Sequence, residues 1–288
     1  MRVLVVTAVA AEADAVAAGL VGYAGPARRT LPSGHALGHH ARGARYGAPP
    51  PPGAASPLPP APPPGAAPLP PPAPAPGTAP GAAPAPAAGA AEGLVDVVVG
   101  GVGPAAAAVA TTSALAASPY AYDLVVSAGI GGGFAAHAPL GAVVVSDAII
   151  AADLGADTPD GYLAVEELGF GRSVHLPPPA LTDRIAKTLH EGRQRHVVAP
   201  VLTVSTVTGT AARTAELGAR HPRAAAEAME GFGVAEAAAA HGVPAVEIRA
   251  VSNTVGPRDR AAWRIGQAMD SLRYAVQLLS TTVFLEEL

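Results

Sequence analysis

The chain has 288 residues, half of them hydrophobic, with only 14% charged and a formal net charge of -4. So apolar a composition excludes a wholly disordered chain, and so few cations argue against a dedicated nucleic-acid binder; a small or neutral ligand fits the balance better. Cysteine is absent, which removes disulfides, thiolate nucleophiles and thiolate metal sites.

Residues 2–9 are rich in Val and Leu and predict a strand; residues 10–20, with Ala and Glu, predict a helix. Glu12 and Asp14 interrupt the apolar run, so strand then helix is the simpler reading than a signal-peptide core. Glu12 falls at the strand–helix junction, where the positive end of a helix complements an acidic side chain. Residues 21–46 hold Arg28, Arg29, His35, His39 and His40 without periodicity, and a solvent-facing loop is expected. No carboxylate lies nearby in the chain to complete a metal site with these histidines. Residues 47–90 form a Pro/Ala/Gly tract without a charged residue. Such a tract supplies neither a core nor a sheet ladder. It is expected to be a disordered, polyproline-like insertion within a single domain spanning 1–288, and not a boundary between two domains.

A β-branched strand is expected at 94–100, then the turn Gly101-Val102-Gly103-Pro104 and an Ala-rich helix at 105–117. The third glycine of a dinucleotide fingerprint is missing. A tight turn that brings backbone N–H groups toward a ligand is the expectation. The strand at 122–128 leads into Gly129, Ile130, Gly131, Gly132 and Gly133, placed just beyond the strand where backbone can approach a ligand. Further strands are expected at 141–146, ending at Asp147, and at 197–204, with a helix at 180–191 between them. Residues 158–174 mix acids and aromatics without a period. The hydroxyls of residues 205–210 either cap a helix at 211–218 or face a ligand.

The stretch 224–253 is the densest in polar groups set among apolar residues. Glu227 and Glu230 flank Met229, a small-residue helix pattern runs to Ala240, and His241-Gly242 stops it. A buried strand at 245–251 ends at Ser252-Asn253. Glu227, Glu230, Glu247, Arg249 and Asn253 would be costly to bury unpaired, so they require partners or a ligand. The last helix, 261–284, carries Trp263, Ile265, Met269, Leu272, Val276 and Leu279 near helical spacing, with Trp263 read as packing. Strands alternating with helices predict a three-layer α/β/α fold. No apolar run is long enough to predict a membrane span.

The motifs TAVAAEADAV (7–16), SAGIGGGF (127–134) and EAMEGFGVAEAAAAHGVPAVEIRAVSNTVGPRD (227–259), in that order, resemble the purine nucleoside phosphorylase/nucleosidase superfamily and, within it, the futalosine hydrolases. The resemblance covers nearly all of the chain except the Pro/Ala tract. It implies a nucleosidase-like mixed twisted sheet, a homo-oligomer, futalosine as nucleoside substrate, water as nucleophile, and no cofactor or metal; with neither a signal-peptide core nor a membrane span expected, a cytoplasmic location is the expectation. By resemblance, Glu12 activates water, Glu230 after Met229 holds the ribose 2′-hydroxyl, and Asn253 meets the purine where adenine-specific relatives have Asp. Ala128, Gly129, Gly131, Thr206, Val207, Thr208 and Met229 line the site by the same resemblance.

Chemistry supports these roles independently. An N-glycosidic bond breaks through an oxocarbenium-like sugar, which a carboxylate stabilises, while a second carboxylate deprotonates water. An Asn amide offers both donor and acceptor, which suits a 6-oxopurine better than a 6-aminopurine, but it is no acid, so the proton source for the leaving purine stays open. Phosphate recognition usually relies on Arg or Lys, and none occurs from 47 to 171, which favours water over phosphate as nucleophile. Arg172, Arg258 and Arg260 are the candidates for meeting a carboxylate on the substrate.

Overall fold

Every residue from Val3 to Thr7 is buried in β1 (Arg2–Thr7), because this strand lies at the centre of the sheet with helices on both faces, the environment that turns a strand into a continuous apolar run. The computed structural model describes residues 1–42 and 93–286; the tract at 47–90 lies outside the described residues. After β1 come α1 (Ala10–Gly19), β2 (Tyr23–Thr30), β3 (Ala36–Arg42), β4 (Gly93–Val99), α2 (Pro104–Ala116), β5 (Leu124–Gly133) and β6 (Val143–Ala151). The hairpin β7 (Gly155–Thr158) and β8 (Gly161–Ala164) precedes β9 (Val174–His175), α3 (Pro179–Glu191), β10 (His196–Thr203) and α4 (Ala211–Arg220). The chain closes with β11 (Ala226–Ala228), α5 (Gly231–Ala240), β12 (Ala245–Thr254) and α6 (Ile265–Ser280).

The main sheet runs β11-β10-β6-β12-β5-β1-β4-β3-β2. β1 is parallel to both β4 and β5, and β5 is parallel to β12, while β12 is antiparallel to β6. Side chains alternate across a strand, and the two faces sort accordingly. Val3 and Val5 pack with Val16, Leu181, Ile185, Leu272 and Leu279 of α1, α3 and α6. Leu4 and Val6 pack with Ala107, Ala110, Val234 and Ala238 of α2 and α5. The architecture is thus the expected three layers around a mixed sheet.

The sheet also closes on itself at one end. β11 pairs in parallel with β10 and, antiparallel, with β5. The five strands β5, β12, β6, β10 and β11 therefore form a ring. One cluster of this region is built from Ala138, Val144, Ala199, Val201, Ala225, Ala226, Ala228 and Val251. So narrow a ring requires side chains this small.

Several expectations change. Residues 21–42 are no loop but an antiparallel hairpin, β2 and β3, added to the edge of β4. The hairpin is anchored from afar: Asp96 of β4 accepts from Tyr120 at 2.7 Å and from Tyr122, and contacts His39 Nδ1 at 2.7 Å. Residues 129–133 are not beyond β5 but its last five residues, because β12 pairs with all five, across a bulge between Val251 and Asn253, and β11 pairs with Gly132 and Gly133. β6 runs past Asp147 to Ala151. The three-residue β11 escaped a periodicity reading because it is too short to show one. The last helix is broken: α6 starts at Ile265 and ends at Ser280, with short 3-10 turns at Arg260–Ala262 and Val283–Leu285. Trp263 lies before α6, half-exposed, with the guanidinium carbons of Arg258 and Arg260 at 5.6 and 5.9 Å from its ring centre. No described helix is long and apolar enough to cross a membrane.

The ring interior makes a direct stability prediction. Ala226 is fully buried there, and Ala226→Leu should cost about 1–3 kcal/mol by overpacking. Thermal unfolding followed by circular dichroism checks this; an unchanged midpoint would mean that the ring has spare room.

Candidate active site

Arg249 is the largest fully buried side chain of the described protein, and its charge has to be answered inside the fold. It sits on β12 in register with Gly129 of β5, two residues after Glu247, which is in register with Ser127. Period-two alternation puts all four on the face that α2 and α5 cover. Arg249 Nε donates to Glu247 Oε1 at 2.8 Å, and Nη2 donates to Ser127 Oγ at 3.0 Å and pairs with Glu230 Oε2 at 3.1 Å. Nη1 reaches the carbonyl of Ile130 at 3.5 Å. Burial alone would lower the Arg249 pKa, but the carboxylates of Glu247, Glu230 and Glu12 outweigh it and push it up. Burial raises the Glu247 pKa even against the attraction of Arg249. Glu247 Oε2 is buried with no hydrogen-bond partner.

Glu230 ends the short link between β11 and α5 and is itself buried. Besides Arg249 it takes the N–H of Gly103 at 3.3 Å on Oε1. Gly103 has φ 96°, a left-handed value that glycine adopts without strain, and it caps α2. The turn at 101–104 therefore aims a backbone N–H at a carboxylate of this site. Glu230 is thus both the partner of Arg249 and a neighbour of the glycine turn.

Glu12 approaches from the other side. As the third residue of α1, it folds back over the helix start and accepts the N–H groups of Ala8 at 2.9 Å and Val9 at 3.2 Å on Oε2. Its Oε1 accepts the N–H of Ile130 at 2.9 Å. A Cβ on Gly129 would stand 2.5 Å from Glu12 Oε1 and 2.6 Å from Arg249 Nη1. Only glycine lets the carboxylate and the guanidinium meet over this backbone. Two backbone donors occupy Oε2 and one occupies Oε1, so the remaining acceptor position of the carboxylate lies on Oε1.

Asn253 lies within β12, which extends to Thr254 through a bulge after Val251, and not at the strand's end. It is half-buried; Oδ1 accepts from Ser252 Oγ at 2.8 Å and Nδ2 donates to the Thr254 carbonyl at 3.2 Å. The hydroxyl-rich loop divides its work. Thr210 caps α4, accepting from Arg213 N–H at 3.2 Å, whereas buried Thr208 donates its N–H to Glu227 Oε1 at 2.8 Å and its hydroxyl to Oε2. Thr206 and Val207 are exposed, Met229 is half-buried, and Gly131 lies against the Glu227 carbonyl. Ala128 instead turns its side chain into the core under α1 and α6. Of the arginines considered for a substrate carboxylate, Arg172 is engaged by Glu236 at 3.2 Å, while Arg258 and Arg260 flank Trp263 on the segment that follows β12.

Fold and site together define an α/β/α domain with acidic groups and a buried arginine gathered at the carboxyl ends of its central strands, where open α/β sheets bind ligands. Residues 88–283 match the Phosphorylase superfamily, and the chain belongs to it. A futalosine hydrolase of Streptomyces coelicolor is 62% identical over 190 residues, 64% of this chain and 78% of that protein. A futalosine hydrolase of Acidothermus cellulolyticus is 42% identical over 184 residues, 64% of this chain and 74% of that protein. In three dimensions the fold is shared with a 5′-methylthioadenosine/S-adenosylhomocysteine nucleosidase of Neisseria meningitidis in complex with methylthio-immucillin-A, with a TM-score of 0.68 at 14% identity, covering 97% of this chain and 99% of that one.

The buried charges make two predictions. Arg249→Met strands Glu230 and Glu247 in the interior and should destabilise the protein by about 3–5 kcal/mol, read from urea unfolding. Glu247 carries a pH signature as well. The folded state holds its proton more tightly than the unfolded chain does, so its contribution to stability falls as pH rises from the ordinary carboxylate range through the raised value. Glu247→Gln abolishes that dependence. The stability of the variant relative to wild type should therefore climb as pH rises above the ordinary carboxylate range; a flat difference would contradict the raised pKa.

Proposed function

We propose that this chain hydrolyses the N-glycosidic bond of futalosine, releasing hypoxanthine and dehypoxanthine futalosine on the futalosine route to menaquinone. The observation that carries this reading is the convergence of Glu12 and Glu230 on Gly129 and Arg249 in a chain 62% identical to a futalosine hydrolase. Water bound at the free acceptor position of Glu12 Oε1 attacks C1′ and gives its proton to that carboxylate. The C1′–N9 bond breaks with its electron pair on the purine, and Glu230 holds the ribose 2′-hydroxyl beside the developing sugar cation. The departing purine takes a proton from solvent, since the Asn253 amide has none to give.

Water is favoured over phosphate by the distribution of cations. Arg249 is bound to two carboxylates, and no Arg or Lys occurs from 47 to 171, a span that includes both glycine-rich segments. Arg258 and Arg260 follow β12 directly and carry the substrate carboxylate in this reading. The enzyme works in the cytoplasm as a homo-oligomer, with Ala128, Gly129, Gly131, Thr206, Val207, Thr208 and Met229 around the nucleoside; for Ala128 the backbone alone is engaged, because its side chain is in the core.

In phosphate-free buffer the protein should convert futalosine to hypoxanthine and a free sugar. A strict phosphate requirement with a sugar 1-phosphate product would overturn the hydrolase reading. Glu12→Gln should lower kcat by roughly 10²–10⁴-fold with the substrate affinity largely kept, measured by steady-state kinetics and by binding of unreacted futalosine to the variant.

A further inference from the structure

Glu247 touches no reacting atom in the proposed reaction, yet this fully buried acid supports Glu230 from two sides. On one side lies Arg249, whose Nε donates to Glu247 Oε1 at 2.8 Å. On the other lies the start of α5. Gly231 follows Glu230 directly, and a Cβ there would collide with both carboxylate oxygens of Glu247. The residue after Glu230 is therefore seated on the Glu247 carboxyl group. Glu247 is fixed in turn by its own N–H, which donates to Ser146 Oγ of β6 at 2.8 Å.

Arg249 could answer Glu230 in two ways. A guanidinium is a rigid fork, and its Nε–Nη2 edge can grip a carboxylate with two parallel bonds. So gripped, both oxygens of Glu230 would be taken. Here that edge is divided. Nε goes to Glu247, while Nη2 donates to Ser127 Oγ at 3.0 Å and pairs with Glu230 at Oε2 alone, at 3.1 Å. Oε2 also receives the Met229 N–H at 3.4 Å, and Oε1 receives the Gly103 N–H at 3.3 Å. A carboxylate has about four acceptor positions, so the one left over lies on Oε1.

We propose that Glu247 is a positioning residue for Glu230: by holding Arg249 at Nε and seating Gly231, it keeps one acceptor position of Glu230 open to the ribose 2′-hydroxyl. This rests on the nucleosidase reading above. The role demands an acceptor at the place of Oε1 and not a charge. Burial raises the Glu247 pKa, and the Glu230 charge adds to the rise against the attraction of Arg249. A carboxyl group that keeps its proton still accepts at one oxygen, and Oε2, which has no hydrogen-bond partner, is the oxygen free to carry the proton.

The test separates reach from charge with two variants, assayed on futalosine and referred to folded enzyme by circular dichroism. Glu247→Gln keeps the reach and removes the charge; Arg249 only donates, so the amide oxygen stays with Nε. Glu247→Asp keeps the charge and draws the carboxylate back by one methylene. The Asp variant should lose roughly 10²-fold in kcat, the effect of a misplacement of about 1 Å. Its KM should rise by less than kcat falls, because Glu230 acts most strongly on the developing sugar cation. The Gln variant should lose no more than about tenfold in kcat, the share owed to charge in one hydrogen bond. A Gln variant that loses 10²-fold or more would make charge the operative property and overturn the proposal, whether or not the Asp variant folds. Equal kcat in wild type and both variants would leave Glu247 a purely structural group, which also overturns it. Wild type that leaves futalosine intact would overturn the substrate reading, and this role with it.

Discussion

The charge of Arg249, buried at the meeting of β5 and β12, is the constraint on which the centre of this molecule depends. A guanidinium in the interior is tolerable only when its donors are matched, and here Glu247, Glu230, Ser127 and the Ile130 carbonyl match them. The four partners come from three places in the chain. Glu247 shares its strand, Ser127 and Ile130 come from β5, and Glu230 comes from the start of α5. Satisfying one side chain therefore fixes the position of α5 over the sheet. The same demand presents the Glu230 carboxylate to the glycine turn at 101–104.

Glycine at 129 adds the second half of the site. It lets the Glu12 carboxylate and the Arg249 guanidinium approach the same stretch of backbone. Glu12 is then held by three backbone N–H groups, two from its own strand–helix junction and one from β5. Such a group is oriented by main chain and not by flexible side chains, a suitable support for a base that must face one water molecule.

Ring closure by β11 does something different. It costs the protein almost all side-chain volume at Ala225, Ala226 and Ala228, and in return it sets Glu227 in line with Gly132 and Asn253. The far edge of the sheet is secured by another buried carboxylate, Asp96, which gathers His39 from β3 and Tyr120 and Tyr122 from the link between α2 and β5. Burial and the Asp96 charge raise both tyrosine pKa values, so these hydroxyls remain donors to the carboxylate.

The order of the central strands and the main helices, the three layers and the need of Glu227, Glu230, Glu247, Arg249 and Asn253 for partners were legible in the sequence. Apolar runs, helix formers and isolated charges are local signals, and for β1, β4, β10 and β12 they place the strand within a few residues. The motifs also carried the family, because their order along the chain survives where spacing alone is ambiguous. Three things were decided only by tertiary structure. The glycines of β5 became a strand because β12 and β11 supply ladder partners that no local rule reveals. Residues 21–42 became a hairpin because the edge of β4 was open to them. Which groups answer Arg249 depends on contacts between residues up to 122 positions apart, and hydrogen bonds and ion pairs at such separations leave no periodic trace in the chain.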